Sequence, residues 1–205
     1  MAEVKLTKGE LKKQRDALRQ YERYLPTLQL KKQQLQMEIL HQLNLLAEKK
    51  HLYAKKRELI LSWTGLLGEA PEKLKTWIIP ENVITATKNI AGVDLPVFNR
   101  VEFPPVEYDL FLMPLWLDLG LDMLRALVIL HEEIGVMQRG IVTLKQELRI
   151  TTQRVNLFEK VKIPEATEAI RLIKIYIGDQ MANAVGRAKI AKKKIEEAVL
   201  EEVLV

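Results

Sequence analysis

Between Leu127 and Phe158, ten residues recur at alternating spacings of three and four: Leu127, Leu130, Ile134, Met137, Ile141, Leu144, Leu148, Thr151, Val155 and Phe158. Nine of the ten are apolar, while Glu132, Glu133, Arg139, Lys145, Glu147 and Arg149 occupy the faces beside them. A 3/4 alternation averages 3.5 residues, so the apolar line stays on one side of a gently supercoiled helix. Such a seam gains nothing in isolation. It requires a partner helix of similar length, and the first third of the chain supplies one.

Thr7 and Glu10 have the spacing of a capping box, with Leu6 and Leu11 as its hydrophobic staple. From there Leu11, Leu18, Leu25, Lys32, Ile39, Leu46, Tyr53 and Ile60 step by seven, and all but Lys32 are apolar. The alternate line is weaker. Tyr21, Leu28 and Leu35 fit it, whereas Gln14, Gln42 and Lys49 do not. A helix from Thr7 to Ser62 at 1.5 Å per residue would be about 80 Å long, which implies a projecting element. Pro26 interrupts the pattern without changing its phase, so a bend is expected there; the alternative is two helices separated at Leu25.

Residues 63–117 differ in character, holding Pro71, Pro80, Pro96, Pro104, Pro105 and Pro114 along with Gly65, Gly68 and Gly92. A short helix is expected over Lys73–Ile79. Asn82–Ile90 and Val97–Phe103, with Gly92 between them, predict a β-hairpin. A second long helix is expected from near Asp118 to about Ala198, bent at Pro164. Past Pro164 the seam changes phase and continues through Ile170, Ile173, Ile177, Met181, Ala184, Ala188, Ala191 and Ile195. Gly178, Ala182 and Gly186, four apart, would let two backbones approach closely; the alternative is simply an alanine-rich helix of good propensity.

These readings give an all-α dominated fold. It is a long antiparallel two-helix coiled-coil hairpin with a small middle section containing a β-hairpin. Residues 1–205 form a single elongated domain: 7–62 the first helix, 63–117 the turn-around, 118–198 the second helix. Pairing Ser62 with Asp118 gives a sum of residue numbers of 180, and Thr7 with Ala198 gives 205. Pro26 and Pro164 sum to 190, so both bends are expected at one level.

Composition narrows the function. The formal charge of +5 is uneven: residues 1–62 carry 14 basic and 7 acidic side chains, and residues 64–116 carry 4 and 7. A basic helix followed by an acidic middle lacks the compact, aromatic-lined basic patch of a nucleic-acid binder. No cysteine is present, which removes disulfides and thiolate metal sites. The opening Met1–Glu10 lacks a signal-peptide core. The apolar run Leu110–Leu117 falls well short of the ~20 residues of a membrane span. His41, His51 and His131 are isolated, and His131-Glu132-Glu133 reads as a solvated helix face. No phosphate-binding glycine loop, H-E-x-x-H or G-x-S-x-G occurs, so no catalytic, cofactor or metal residue is assigned.

Two stretches resemble a known family. Thr151-Thr-Gln-Arg154-Val155-Asn156-Leu-Phe-Glu159, followed by Ile163-Pro164, is similar to the T-x-R-R-V-N-A-L-E and I-P pattern of the D subunit of V-type (A/V-type) rotary ATPases. Asn89-Ile-Ala-Gly92-Val93-Asp-Leu-Pro96 resembles that family's N-x-x-G-V-x-x-P. Gln153 stands where the family usually has arginine, and Leu157-Phe158 replaces Ala-Leu, as in a divergent member.

The resemblance implies a non-catalytic central-stalk rotor shaft. It would stand within the ring of catalytic A and B subunits, with the stalk's F subunit on its side and the C subunit linking it to the membrane ring. Torque would pass between ATP turnover and ion translocation, on the cytoplasmic face and without a membrane span of its own. The alternative from another class is a free-standing coiled-coil scaffold or adaptor, which would dimerise through its seam. A rod binding RNA or DNA through its basic helix would instead show steep salt dependence.

Overall fold

The computed structural model describes residues 5–109 and 113–203, with side chains described as far as residue 197. Met1–Val4 and the first three residues of the Leu110–Leu117 run lie outside the described residues. The elements in order are α1 (Lys8–Ser62), a 3₁₀ turn (Thr64–Glu69), α2 (Leu74–Ile78), β1 (Asn82–Ile90) and β2 (Val93–Glu102). These are followed by α3 (Leu117–Leu157), a π turn (Phe158–Lys162) and α4 (Ile163–Val203). The chain divides into two compact units, one of Leu30–Thr152 and one of Met1–Gln29 with Gln153–Val205.

In the unit Leu30–Thr152, α1 and α3 pack antiparallel. Leu35, Ile39 and Leu144 share one buried cluster; Leu46, Ile134 and Ile141 form another, flanked by Tyr53 and Met137. The polar seam positions are accommodated individually. Gln42 donates to Glu38 one turn back at 2.8 Å, and Lys49 reaches Glu133 of α3 at 2.8 Å. Half-buried polar groups persist in a seam when each has a partner.

The turn-around packs at the far end of the same unit. Leu74, Trp77, Leu117 and Leu121 form its core. Arg125 of α3 donates to the Trp77 carbonyl at 3.2 and 3.1 Å and to the Pro104 carbonyl at 3.0 Å. Its guanidinium also lies 4.9 Å over the Phe103 ring. One cation thus fixes the end of α2 and the segment leaving β2. Gly120 is required for packing, because a Cβ there would sit 2.8 Å from the Trp116 ring.

The β-hairpin is two-stranded and antiparallel. The second strand starts at Val93, four residues before the expected Val97, because the connection is the two-residue turn Ala91-Gly92. Both turn residues have positive φ, 53° and 75°, the geometry of a tight hairpin turn that twists with its strands. A bulge follows: Ile84 pairs with Arg100 but Thr85 pairs with Phe98, leaving Asn99 as the extra residue.

In the other unit, α1 runs unbroken across the exposed Pro26. Thr7 caps α1 by accepting the Glu10 amide at 3.2 Å, but the capping box is only half made, since Glu10 accepts from Gln14 instead. Tyr21 stacks on Phe158 with centroids 5.3 Å apart. Their numbers sum to 179, whereas Pro26 and Pro164 sum to 190. The prolines are therefore out of register by eleven residues, about 16 Å of helix rise, and the expected shared level of two bends does not hold.

The second long helix differs from expectation in two further ways. The helix continues without a break through Pro164, but the five residues Phe158–Lys162 wind as a π turn just before it. The seam also ends early. Ala166, Ala169, Ile170 and Ile173 are buried, but every described residue from Gly178 to Glu197 is exposed, Met181 and Ile195 included. With the register set by Tyr21 and Phe158, α1 reaches only to about the level of residue 172. The later apolar residues therefore have no helix beside them.

Candidate functional site

The residues singled out in the sequence fall in two places. Asn89, Gly92, Val93 and Pro96 build the hairpin turn and its attachment. The Asn89 side chain closes the turn, its Oδ1 accepting the Gly92 amide at 3.1 Å and its Nδ2 donating to Asp94 Oδ1 at 2.6 Å. Gly92 supplies the left-handed residue this turn needs. Val93 and Leu95, two apart and hence on one face of β2, are buried against Leu35, Ile39 and Leu144. Pro96 lies close to Gly140 of α3; a Cβ on Gly140 would be 3.9 Å from the Pro96 carbonyl oxygen. The motif is thus a device for holding a hairpin down on a helix pair. A small cavity lined by Gln42, Ile90, Met137 and Gly140 remains beneath it.

The second group spans the junction of α3 and α4. Thr151 is a buried polar residue of the seam, and Val155 is buried one turn on. Arg154, Asn156 and Glu159 point outward, exposed, on the turns around them. Ile163 is half-buried, and its N–H donates to the Phe158 carbonyl five residues back, closing the π turn. Pro164, exposed, occupies the second position of α4, where its missing N–H is tolerated. The junction offers outward, exposed polar groups, Arg154, Asn156, Glu159 and Lys160, on helical backbone.

The surface beyond the junction is what sequence reasoning placed incorrectly. Met181, Val185, Ile190 and Ile195 are more than half exposed on a helix that also carries Arg187, Lys189 and Lys192–Lys194. Lys192 and Lys193 face Glu196 and Glu197 one turn on at 3.6 Å each, weak exposed pairs. The signal that could have found this was a count of partners: α1 begins too late in the chain to cover the last turns of α4.

No group of three or more His, Asp or Glu side chains among the described residues is arranged to hold a metal. No helix among them is long and apolar enough to cross a membrane. The marked electrostatic perturbations are local. The Tyr108 hydroxyl donates to the Asp118 carboxylate, which pushes the phenol up from its ordinary value. Arg171, bonded to Glu168 at 2.6 Å, holds that carboxyl below its ordinary value.

Comparison with known proteins connects these features. The family model for the ATP synthase D subunit matches residues 10–193. The chain is 44% identical over 195 residues to the V-type ATP synthase D subunit of Borreliella burgdorferi, covering 95% of this chain and 96% of that protein. It is 34% identical over 196 residues to the protein of the same name from Chlamydia pneumoniae, covering 95% and 94%. Its identity to the D subunit of Chlamydia trachomatis is 33% over 201 residues, covering 96% and 98%.

Proposed function

The chain belongs to the ATP synthase D-subunit family, and we propose that in a V-type ATPase it is the central-stalk rotor shaft, a non-catalytic subunit. It carries torque between the catalytic A and B subunits and the membrane ring that translocates ions. The stalk's F subunit sits beside it, and the C subunit links it to the membrane ring. In this reading residues 1–205 act as one elongated domain, peripheral to the membrane on its cytoplasmic face, and the chain holds no cofactor. The motif positions Asn89, Gly92, Val93, Pro96, Thr151, Arg154, Val155, Asn156, Glu159, Ile163 and Pro164 keep the shaft's own geometry or face its neighbours.

The observation that carries the proposal is the uncovered end of α4. Twenty consecutive residues, Gly178–Glu197, are exposed and include Met181, Val185, Ile190 and Ile195. A single helix of this kind derives little stability from propensity alone and gains it by burying its apolar residues against something else. A surrounding ring of subunits provides such burial. The packed seam of α1 with α3 provides the stiffness that torque requires.

The test is purification from native membranes under mild conditions, with identification of what accompanies the chain. Recovery with A, B, F and C subunits supports the proposal. Recovery as a self-associated coiled coil without ATPase subunits supports a free-standing scaffold and contradicts the shaft.

A further inference from the structure

We infer that the π turn at Phe158–Lys162 is a phase-correcting joint: it absorbs one extra residue in the helix so that the seam of α4 stays turned toward α1. The seam of α3 advances Ile141, Leu144, Leu148, Thr151, Val155 and Phe158 in alternating steps of four and three. Continued unchanged, it would require residues 162, 165, 169, 172 and 176 to face the partner. Glu165, Leu172 and Tyr176 are instead exposed. The covered line is Ile163, Ala166, Ile170, Ile173 and Ile177, each one position later, with Ala169 buried and Lys162 half-buried on their flank. The step between Phe158 and Ile163 is five, and those same residues are joined by the i to i−5 hydrogen bond of the turn. The extra residue and the π hydrogen bond are thus the same event.

An uncorrected insertion would rotate every later residue by about 100°. It would swing Ile170 and Ile173 out of contact and bring Glu165, Leu172 and Tyr176 toward the seam. The π turn prevents this by taking 4.4 residues through one turn (about the value of an i→i+5 helix), at the cost of weaker local hydrogen bonding. Pro164 has no N–H to donate to the carbonyls of that turn, so the joint lies where the ladder is already interrupted. Tyr21 stacked on Phe158 marks the last position before the correction. The joint also fixes the direction in which Met181 and Val185, continuing the corrected line at four-residue spacing, present themselves.

The competing explanation is that Pro164 alone forces the π turn. Three variants of the full chain separate the two. Deleting Lys160, an exposed residue, leaves Ile163 four residues after Phe158, so their hydrogen bond becomes an ordinary α-helical one. This deletion is expected to keep the melting temperature within about 3 °C of the parent or raise it. Amide hydrogen exchange at Val161–Ile163 should slow at least tenfold. Inserting an alanine between Lys160 and Val161 doubles the excess, which one π turn cannot absorb. It should lower the melting temperature by more than about 10 °C through loss of the buried residues beyond it. Pro164→Ala should leave amide exchange in the turn fast, within about twofold of the parent. A deletion as damaging as the insertion would overturn the inference, as would slow exchange in Pro164→Ala comparable to that of the deletion.

Discussion

Lys49 Nζ lies 2.8 Å from Glu133 Oε1 and 3.0 Å from Glu133 Oε2, joining α1 to α3 at a seam position where an apolar residue would be usual. Both side chains are only partly exposed. Lys49→Ala leaves Glu133 without its partner in a half-desolvated place and should cost about 1–2 kcal/mol. Replacing both residues by leucine should restore or exceed the parent stability, because the charges are not needed for the packing. Urea denaturation of the single and double variants gives both numbers.

Leu144 is fully buried between α1 and the hairpin, with Leu35, Val93 and Leu95 as neighbours. Leu144→Ala should cost about 2–5 kcal/mol, and Ile141→Ala a similar amount. Val142, exposed on the outer side of the same helix, is the control. Val142→Ala should change stability by less than about 0.5 kcal/mol. Equal melting temperatures for Leu144→Ala and Val142→Ala would mean that the seam faces another way.

The turn residue Ala91 holds φ at 53°, which an L-residue with a Cβ adopts at a cost of about 1–2 kcal/mol. Ala91→Gly or Ala91→Asn should therefore stabilise the hairpin by about 0.5–1 kcal/mol. Gly92→Ala, at φ 75°, should destabilise it by about 1–2 kcal/mol. Thermal melts of the three variants distinguish strain at the turn from the general effect of changing residue size.

Tyr108 donates to Asp118, so its phenol is pushed above its ordinary value of 10.0, mainly by that hydrogen bond. A raised folded value means that the folded chain retains the proton after the unfolded chain has lost it. The associated stability is therefore complete below about pH 10 and declines as the pH rises through the folded value. Ultraviolet titration should show one tyrosine ionising later than the others, and Tyr108→Phe should remove that late step. Asp118→Asn should bring it back toward the ordinary range.

Most of the fold was legible because it rests on local periodicity. The seven-residue ladder from Leu11 to Ile60 corresponds to α1 over Lys8–Ser62, and the β-branched run Asn82–Ile90 corresponds to β1. What the pattern could not convey was which positions find a partner. Gln14, Gln42 and Lys49 look like breaks in the seam, yet all three are half-buried, with Glu10, Glu38 and Glu133 as their partners. Met181 and Ile195 look like seam residues and are exposed, because apolar spacing records a helix face and not its occupant. A change of phase past Pro164 was visible in the spacing, but the proline itself suggested only a bend. The actual device, an added residue taken up by a π turn, requires the hydrogen bond from Ile163 to Phe158 to be seen.

If the chain is the rotor shaft, it turns relative to the catalytic ring while its own helices remain fixed to each other. The chain contains no cysteine, so an introduced thiol is unique. A cysteine at Lys189 or Lys192, both exposed on α4, paired with one on the facing surface of an A or B subunit, should stop ATP hydrolysis on oxidation. Reduction should restore it. A disulfide between α1 and α3 within the chain should leave turnover unchanged. ATP turnover coupled to ion movement that continues at its full rate with the shaft bonded to the ring would contradict the rotor reading.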